Sequence, residues 1–115
     1  MRHNDHVYIA KPYAVGRGEG VFVFRTLEEY ENQKDGDDYV IQRYIDRPHL
    51  INNRKWDLWV NVIVSGLKPQ IGYICWKGFA RICTKDYDAN KLDDEFRHVS
   101  NFAIQSWSDN YVRYG

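Results

Sequence analysis

The chain has 115 residues, with 16 Lys or Arg and 16 Asp or Glu, so its formal net charge at pH 7 is zero. This balance argues against a nucleic-acid module driven by bulk charge, because such a module needs a basic face to displace counterions. No apolar stretch approaches the roughly 20 residues that cross a bilayer. The amino terminus also has no apolar signal core, so we expect neither a membrane span nor secretion.

The first third of the chain predicts a β-hairpin. The apolar run 7–10 predicts a strand that ends at Lys11–Pro12, because Pro cannot continue a ladder. The glycine-rich loop 16–20 follows, and the apolar run 21–24 predicts the second strand. Alternate glycines let a backbone approach phosphate oxygens, but a flexible hairpin tip explains the same pattern. The loop matches neither a dinucleotide fingerprint nor a Walker loop.

A short helix is predicted next. Thr26 and Glu29 have the spacing of a capping box, in which each side chain bonds the backbone of the other residue. Leu27 and Tyr30 share one face of this helix, and the polar cluster 34–38 ends it. Further strands are predicted at 39–45, 54–65, 71–77 and 79–84. Polar loops follow at 85–97, and the run 98–107 predicts a turn leading into a short helix.

The strand 54–65 has two distinct faces. Alternation places Trp56, Leu58 and Val60 on a face that we expect to be buried. The other face carries Lys55, Asp57, Trp59 and Asn61. Polar groups in register on one strand face are typical of a site, and equally of a solvent face with a cross-strand ion pair.

Other candidate groups are also ambiguous at this level. Lys11, beside the glycine loop, could neutralise phosphates or could simply be solvated. Arg81 could add charge to the same pocket or lie in solvent. Cys75 and Cys83 are expected to be reduced and packed, and two cysteines cannot form a four-ligand zinc site alone. The residues by themselves therefore predict a mostly β domain with a plausible nucleotide-phosphate pocket.

Five ordered segments together resemble the catalytic core of the tubulin–tyrosine ligase-like family. They are YIAKP, GRGEGVFVF, YVIQRYIDRPHLINNRKWDLWVNVIV, GFAR and LDDEFRHVSNFAIQ, at residues 8–12, 16–24, 39–64, 78–81 and 92–105. The resemblance implies an α+β, ATP-grasp-like fold with a mainly antiparallel sheet and short helices. Residues 1–115 would form an incomplete domain of this kind.

The resemblance also implies an activity, which is ATP-dependent ligation of a free amino acid to tubulin or another protein acceptor. ATP would phosphorylate a carboxylate, and an amine would then displace phosphate from the acyl phosphate. The implied cofactors are ATP and Mg²⁺, with no nucleic-acid or membrane partner, and the implied location is cytoplasmic, at the cytoskeleton or cilium. The alternative is a non-catalytic nucleotide-binding or tubulin-associated module.

The resemblance assigns roles residue by residue. It implies phosphate binding by Lys11 and a covering loop formed by Gly16, Arg17, Gly18 and Gly20. It implies an adenine hinge, with backbone hydrogen bonds and one apolar contact, formed by Gln42, Arg43, Tyr44 and Ile45. It adds His98 and Ser100 to the nucleotide site. The residues implied for both nucleotide contact and catalysis are Lys55, Asp57 and Asn101, and Arg81 is implied for catalysis.

Two departures from the family pattern affect the expected chemistry. Trp59 stands where the family usually has an arginine, and losing a charged transition-state contact commonly costs roughly 10² to 10³ in rate. We expect the Trp59 ring to point into the cleft, where it either crowds the phosphates or stacks on another planar group. The family's metal-binding acids have no counterpart before residue 115. Either the chain is a fragment whose magnesium ligands lie beyond that residue, or it is a truncated, degenerate member of the family. We expect this chain alone to be inactive in both cases.

Overall fold

The computed structural model describes residues 6–36 and 38–113. The predicted polar amino terminus (1–5) and Asp37 of the predicted polar turn lie outside the described residues. In chain order the elements are β1 (Tyr8–Pro12), β2 (Phe22–Phe24), α1 (Leu27–Gln33), β3 (Tyr39–Arg43), β4 (Leu50–Ile51), β5 (Arg54–Trp59), β6 (Val62–Leu67), β7 (Gln70–Ile74), β8 (Phe79–Ile82), α2 (Glu95–His98) and α3 (Phe102–Gln105).

The architecture is mixed α/β, with antiparallel strand pairing throughout the described residues. The first sheet has the order β2-β1-β3, the second β4-β5-β8, and β6 and β7 form a separate hairpin. The predicted hairpin around the glycine loop is confirmed, since β1 pairs with β2. In the part of the chain that the structure describes, no helix has the length and apolar character needed to span a membrane.

Aromatic packing fixes α1 on the first sheet. The Thr26 hydroxyl accepts a hydrogen bond from the Glu29 backbone N–H at 3.2 Å, as predicted for the helix cap. The Glu29 carboxylate bonds the backbone N–H of Arg25 rather than that of Thr26, one residue away from the expected capping box. The ring centre of Tyr30 lies 5.3 Å from that of Phe24, whereas the side chain of Leu27 is exposed to solvent. One residue of the predicted helix face therefore carries the packing.

The predicted strand 54–65 is wrong as a single element. β5 pairs with β8 in the second sheet, whereas β6 pairs only with β7. At the break, a Cβ on Gly78 would lie 2.7 Å from the carbonyl oxygen of Trp59, so only glycine allows this close approach. The expected buried face is also wrong, since Leu58 is 61% exposed and Val60 is 47% exposed. Trp56, on the same face, is half-buried against the ring of His49.

Several other boundaries differ by a few residues. β1 continues through Pro12, which pairs with Tyr39 at the last position of the strand. The third predicted strand ends at Arg43, and the predicted 71–77 and 79–84 strands end at Ile74 and Ile82. Neither β4 nor α2 was predicted, whereas the turn leading into a short helix expected within 98–107 is confirmed by residues 99–101 and α3. Both cysteines are free, as expected, and Cys83 is fully buried.

The buried core is small. It centres on Val7, Val23 and Tyr44, with Tyr87 and Leu92 packed against it. The chain exposes 9305 Å², whereas a compact monomer of this mass exposes about 6,600 Å². The excess includes the β6–β7 hairpin, where Val62, Val64 and other apolar side chains on both strands are exposed.

We predict that Phe24→Ala lowers the free energy of unfolding by about 3 kcal/mol, because it removes a buried ring from the cluster that holds α1. The matched control is Phe102→Ala, since Phe102 is 62% exposed, and its cost should stay below about 1 kcal/mol. Urea unfolding followed by circular dichroism measures both. Equal costs for the two variants would contradict the packing described here.

Candidate functional site

A cleft of about 480 Å³ lies between the two sheets. β1 and the glycine loop form one wall, and β5, β8 and the segment 98–101 form the other. Chain segments far apart in sequence meet here. The predicted site residues that line it are Lys11, Gly16, Arg17, Gly18, Lys55, Asp57, Arg81, His98, Ser100 and Asn101.

Lys55 lines the cleft, and its ammonium group is held by the backbone of His98 and the ring of Tyr44. Its Nζ donates to the backbone carbonyl oxygen of His98 at 2.5 Å and lies 5.2 Å from the centre of the Tyr44 ring. Burial lowers the pKa of Lys55, and the charge of Lys11 acts in the same direction. Because the charge of Lys11 disfavours that of Lys55, an anion bound between them would be stabilised.

His98 is 1% exposed, and both its ring nitrogens are bonded. Nε2 lies 2.8 Å from the carbonyl oxygen of Lys91, and Nδ1 lies 3.0 Å from the hydroxyl of Tyr44. A carbonyl can only accept, so Nε2 carries the proton and Tyr44 donates to Nδ1. Burial is the main cause that lowers the pKa of His98, so the ring is a neutral structural group.

Asp57 and Arg81 form a two-point ion pair across β5 and β8, where they are directly opposed. Arg81 Nε donates to Asp57 Oδ1 at 2.8 Å, and the Arg81 Nη2 group donates to Oδ2. Ser100 Oγ also donates to Oδ2, at 2.8 Å. Partial burial opposes ionisation of Asp57, but these hydrogen bonds outweigh it and hold the pKa below its usual range. The sequence left two interpretations of this strand face open, a cross-strand ion pair and a site. Asp57 forms the ion pair and also lines the cleft.

The glycine loop folds back onto the opposite wall of the cleft. Gly18 has a φ of +87°, and a Cβ at this position would lie 2.9 Å from Asn101 Cγ. Arg17 beside it also has a positive φ, of 65°. Gly20, at φ +67°, packs on Pro12 and does not line the cleft. Gly18 therefore permits the close contact between the loop and Asn101.

The predicted hinge residues lie apart from this cleft. Gln42 is nearest, since its Oε1 accepts from Lys11 Nζ at 2.7 Å. Tyr44 belongs to the core, and its backbone N–H donates to the carbonyl of Val7. Arg43 and Ile45 are exposed. Gln42, through Lys11, and the side chain of Tyr44, through Lys55 and His98, thus link the hinge to the cleft.

The expectation that Trp59 points into the cleft is wrong, because Trp59 does not line it; the ring does stack on a planar group, that of Phe79. Its ring lies 5.7 Å from that of Phe79 with an interplanar angle of 13°. The guanidinium carbon of Arg81 lies 5.3 Å from the centre of the same indole ring. Trp59 thus shares a strand face with Asp57, as the alternation predicted.

The apolar residues that line the cleft were not predicted from the sequence. Ile9, Val15, Val21 and Val99 line it together with the charged groups. The alternation of β1 could have placed Ile9 on the same face as Lys11, two residues on. No comparable signal marks Val15 or Val99, because both lie outside strands and helices.

The cleft is strongly basic although the chain is neutral. Lys11, Arg17, Lys55 and Arg81 line it with one carboxylate, that of Asp57. Asp57 is already paired, so this set fits phosphate groups and does not fit a magnesium ion. Within residues 6–36 and 38–113, no group of three His, Cys, Asp or Glu side chains could hold a metal ion.

Comparisons with known proteins point to one family. The family model described as "Tubulin-tyrosine ligase family" matches residues 1–114. The chain is 32% identical to a "Probable tubulin polyglutamylase ttll-9" of Caenorhabditis elegans, over 94% of this chain and 28% of that protein. It is 35% identical to "Tubulin polyglutamylase TTLL6" of Homo sapiens, over 95% of this chain and 12% of that protein. The chain thus spans less than a third of either relative.

We predict that Tyr44→Phe lowers the free energy of unfolding by about 1 to 2 kcal/mol, because it leaves the buried Nδ1 of His98 without a donor. Tyr73→Phe on the exposed β7 is the control and should have almost no effect. Urea unfolding at neutral pH measures both. A silent Tyr44→Phe would mean that the hydroxyl does not bond His98.

We predict that stability falls as the pH is lowered from about 7 to about 5. The folded-state pKa of His98 lies below its ordinary value, so the unfolded chain binds the proton first. As the pH falls through about 6.5, proton binding therefore stabilises the unfolded state relative to the folded state. Urea unfolding across this range should show net proton uptake on unfolding. Replacing His98 by Gln should reduce the slope, and an unchanged slope would contradict the assignment.

Proposed function

The chain belongs to the tubulin-tyrosine ligase family, and from that premise we propose that it supplies the phosphate-binding part of an ATP-dependent ligase. The proposed reaction joins glutamate to tubulin, since the relatives' names describe tubulin polyglutamylases. In the proposed arrangement, ATP lies between two α+β parts, as in an ATP-grasp fold. The proposed place of action is the cytoskeleton.

One observation carries the proposal, which is the concentration of positive charge in the cleft. Four basic side chains and one paired carboxylate line it, although the whole chain has equal numbers of basic and acidic residues. Lys55 is half-buried, and a buried cation is costly unless an anion balances it. A nucleotide triphosphate is an anion of suitable charge, and the glycine loop leaves backbone close to where it would lie.

The proposed chemistry has two steps. A carboxylate oxygen attacks the terminal phosphoryl group of ATP, the bond to ADP breaks, and an acyl phosphate forms. The amine of the second substrate then attacks the acyl carbon, and phosphate leaves as the amide forms. Lys11, Lys55 and Arg81 would stabilise the charge on the phosphoryl oxygens, and Asn101 would contact the same group beneath the loop.

Asp57 has an orienting role in this proposal. Its carboxylate fixes the guanidinium of Arg81 by two hydrogen bonds and is itself fixed by Ser100. An arginine held in this way presents its remaining N–H groups in a constant direction. The acidic side chains among the described residues do not form a magnesium site.

Adenine would lie at the exposed edge formed by β3 and Ile45. The backbone N–H of Tyr44 is already bonded to Val7, so it cannot serve adenine. The groups left for recognition are therefore the carbonyl of Arg43 and the N–H of Ile45. The side chain of Ile45 is 72% exposed and would supply the apolar contact.

A second candidate function is a non-catalytic nucleotide-binding module. Trp59 supports it, because this position offers a neutral ring instead of a second guanidinium beside Arg81. The two functions share the same cleft and differ in the chemistry that follows binding. Ligation therefore distinguishes them, and binding alone does not.

We predict that the chain binds a non-hydrolysable ATP analogue with a dissociation constant of about 10⁻⁴ M or weaker, because an open cleft buries little of the ligand. Lys11→Ala and Lys55→Ala should each weaken binding about tenfold. Lys77→Ala is the control, since Lys77 is exposed and contacts the Trp76 ring. Calorimetric titration measures all four proteins. Equal affinities would contradict the cleft assignment.

The ligase step is tested by grafting. This chain would replace the matching segment of the Caenorhabditis elegans relative, and incorporation of labelled glutamate into tubulin would be measured with ATP. Incorporation that is lost with Lys55→Ala supports the ligase. A grafted protein that binds ATP but incorporates no glutamate supports the non-catalytic module.

A further inference from the structure

We propose that Trp59 is a positioning residue for Arg81, and that its indole ring holds the guanidinium where it meets the phosphate groups of a bound anion. The proposal rests on the function proposed above for the cleft. It gives a role to the position at which the chain departs from the arginine expected there.

The strand register brings the side chains of Trp59 and Arg81 to the same face of the sheet. Asp57 opposes Arg81, and Trp59 opposes Phe79, in adjacent pairs of β5 and β8 on one face. The indole lies parallel to the Phe79 ring and 5.3 Å from the guanidinium carbon of Arg81, within the range of a cation–π contact. Arg81 is therefore bonded by Asp57 at its end and lies over the ring of Trp59.

The exposure of Trp59 argues against a packing role. Trp59 is 49% exposed and Phe79 is 57% exposed, so neither ring belongs to the buried core. An exposed ring adds little to stability. Its effect falls instead on the freedom of Arg81, a side chain that would otherwise lose considerable rotamer entropy when an anion binds.

The indole also preserves the pairing of Asp57. An arginine at position 59 would place a second guanidinium beside the same carboxylate and compete with Arg81 for it. A neutral ring removes that competition and leaves Arg81 as the sole arginine bonded to Asp57 among the described residues. The cleft has one cation fewer than the family pattern predicts, and this remaining arginine is held more rigidly.

The experiment compares Trp59→Leu, Trp59→Phe and, as a matched control, Trp76→Leu at a tryptophan that is 89% exposed and contacts Lys77 instead of Arg81. The probe is inorganic tripolyphosphate, titrated by calorimetry. We expect Trp59→Leu to bind about threefold to fivefold more weakly than the wild type. Trp59→Phe should recover most of the affinity, because it restores an aromatic face, and Trp76→Leu should match the wild type.

A second readout needs no ligand. The titration midpoint of the Asp57 carboxylate, followed by carbon-13 NMR, should move up towards the ordinary value in Trp59→Leu and return in Trp59→Phe. A Trp59→Leu protein that matches the wild type in both readouts would overturn the inference. If Trp59→Leu does not fold, Phe79→Leu, which removes the stacked partner, should give the same two changes, and wild-type behaviour in that variant would overturn the inference.

The two proposals can fail separately. If wild-type protein does not bind tripolyphosphate, the proposed function of the cleft is wrong, and the Asp57 titration still decides whether Trp59 holds Arg81. If the wild type binds tripolyphosphate and the Trp59 variants match it in both readouts, the cleft assignment stands and the proposed role of Trp59 is wrong.

Discussion

The imidazole of His98 is the constraint on which the cleft depends. The two sheets share no strand pairing among the described residues, so side chains must join them. The ring of His98 bonds Tyr44 on the first sheet's side and Lys91 in the loop, while its own carbonyl holds Lys55 of β5. One neutral buried residue thereby sets the distance between the walls. It acts through orientation, with no charge of its own, because burial holds it unprotonated.

Local features were predictable from the sequence and long-range partners were not. The hairpin around the glycine loop and the Thr26 cap follow from short patterns with a single physical cause. The alternation of β5 correctly placed Lys55 and Asp57 on one face. It could not show that the strand ends at Trp59, because periodicity says nothing about which strand pairs with which. Nor could it show that Leu58 is uncovered, since burial depends on elements elsewhere.

The site shows the same division. Residue types suggested a phosphate pocket, and the resemblance supplied Lys11, Lys55, Arg81 and the segment 98–101 as its parts. The structure brings these parts into one cleft. The ion pair between Arg81 and Asp57 could not be predicted, because it depends on the register in which β5 pairs with β8. The hinge positions could be named from the motif, but the burial of Tyr44 depends on its packing with Val7 and Val23, which are distant in sequence.

The large exposed surface of the chain has a thermodynamic consequence. A chain of this mass exposes about 19,900 Å² when unfolded, so folding buries about 10,600 Å² here, against about 13,300 Å² for a compact protein. Both the urea dependence of stability and the heat-capacity change of unfolding scale with this area. Each should therefore be about one fifth smaller than usual for this length. The stability curve is correspondingly flat, and the denaturation transition is broad even where the folding is two-state.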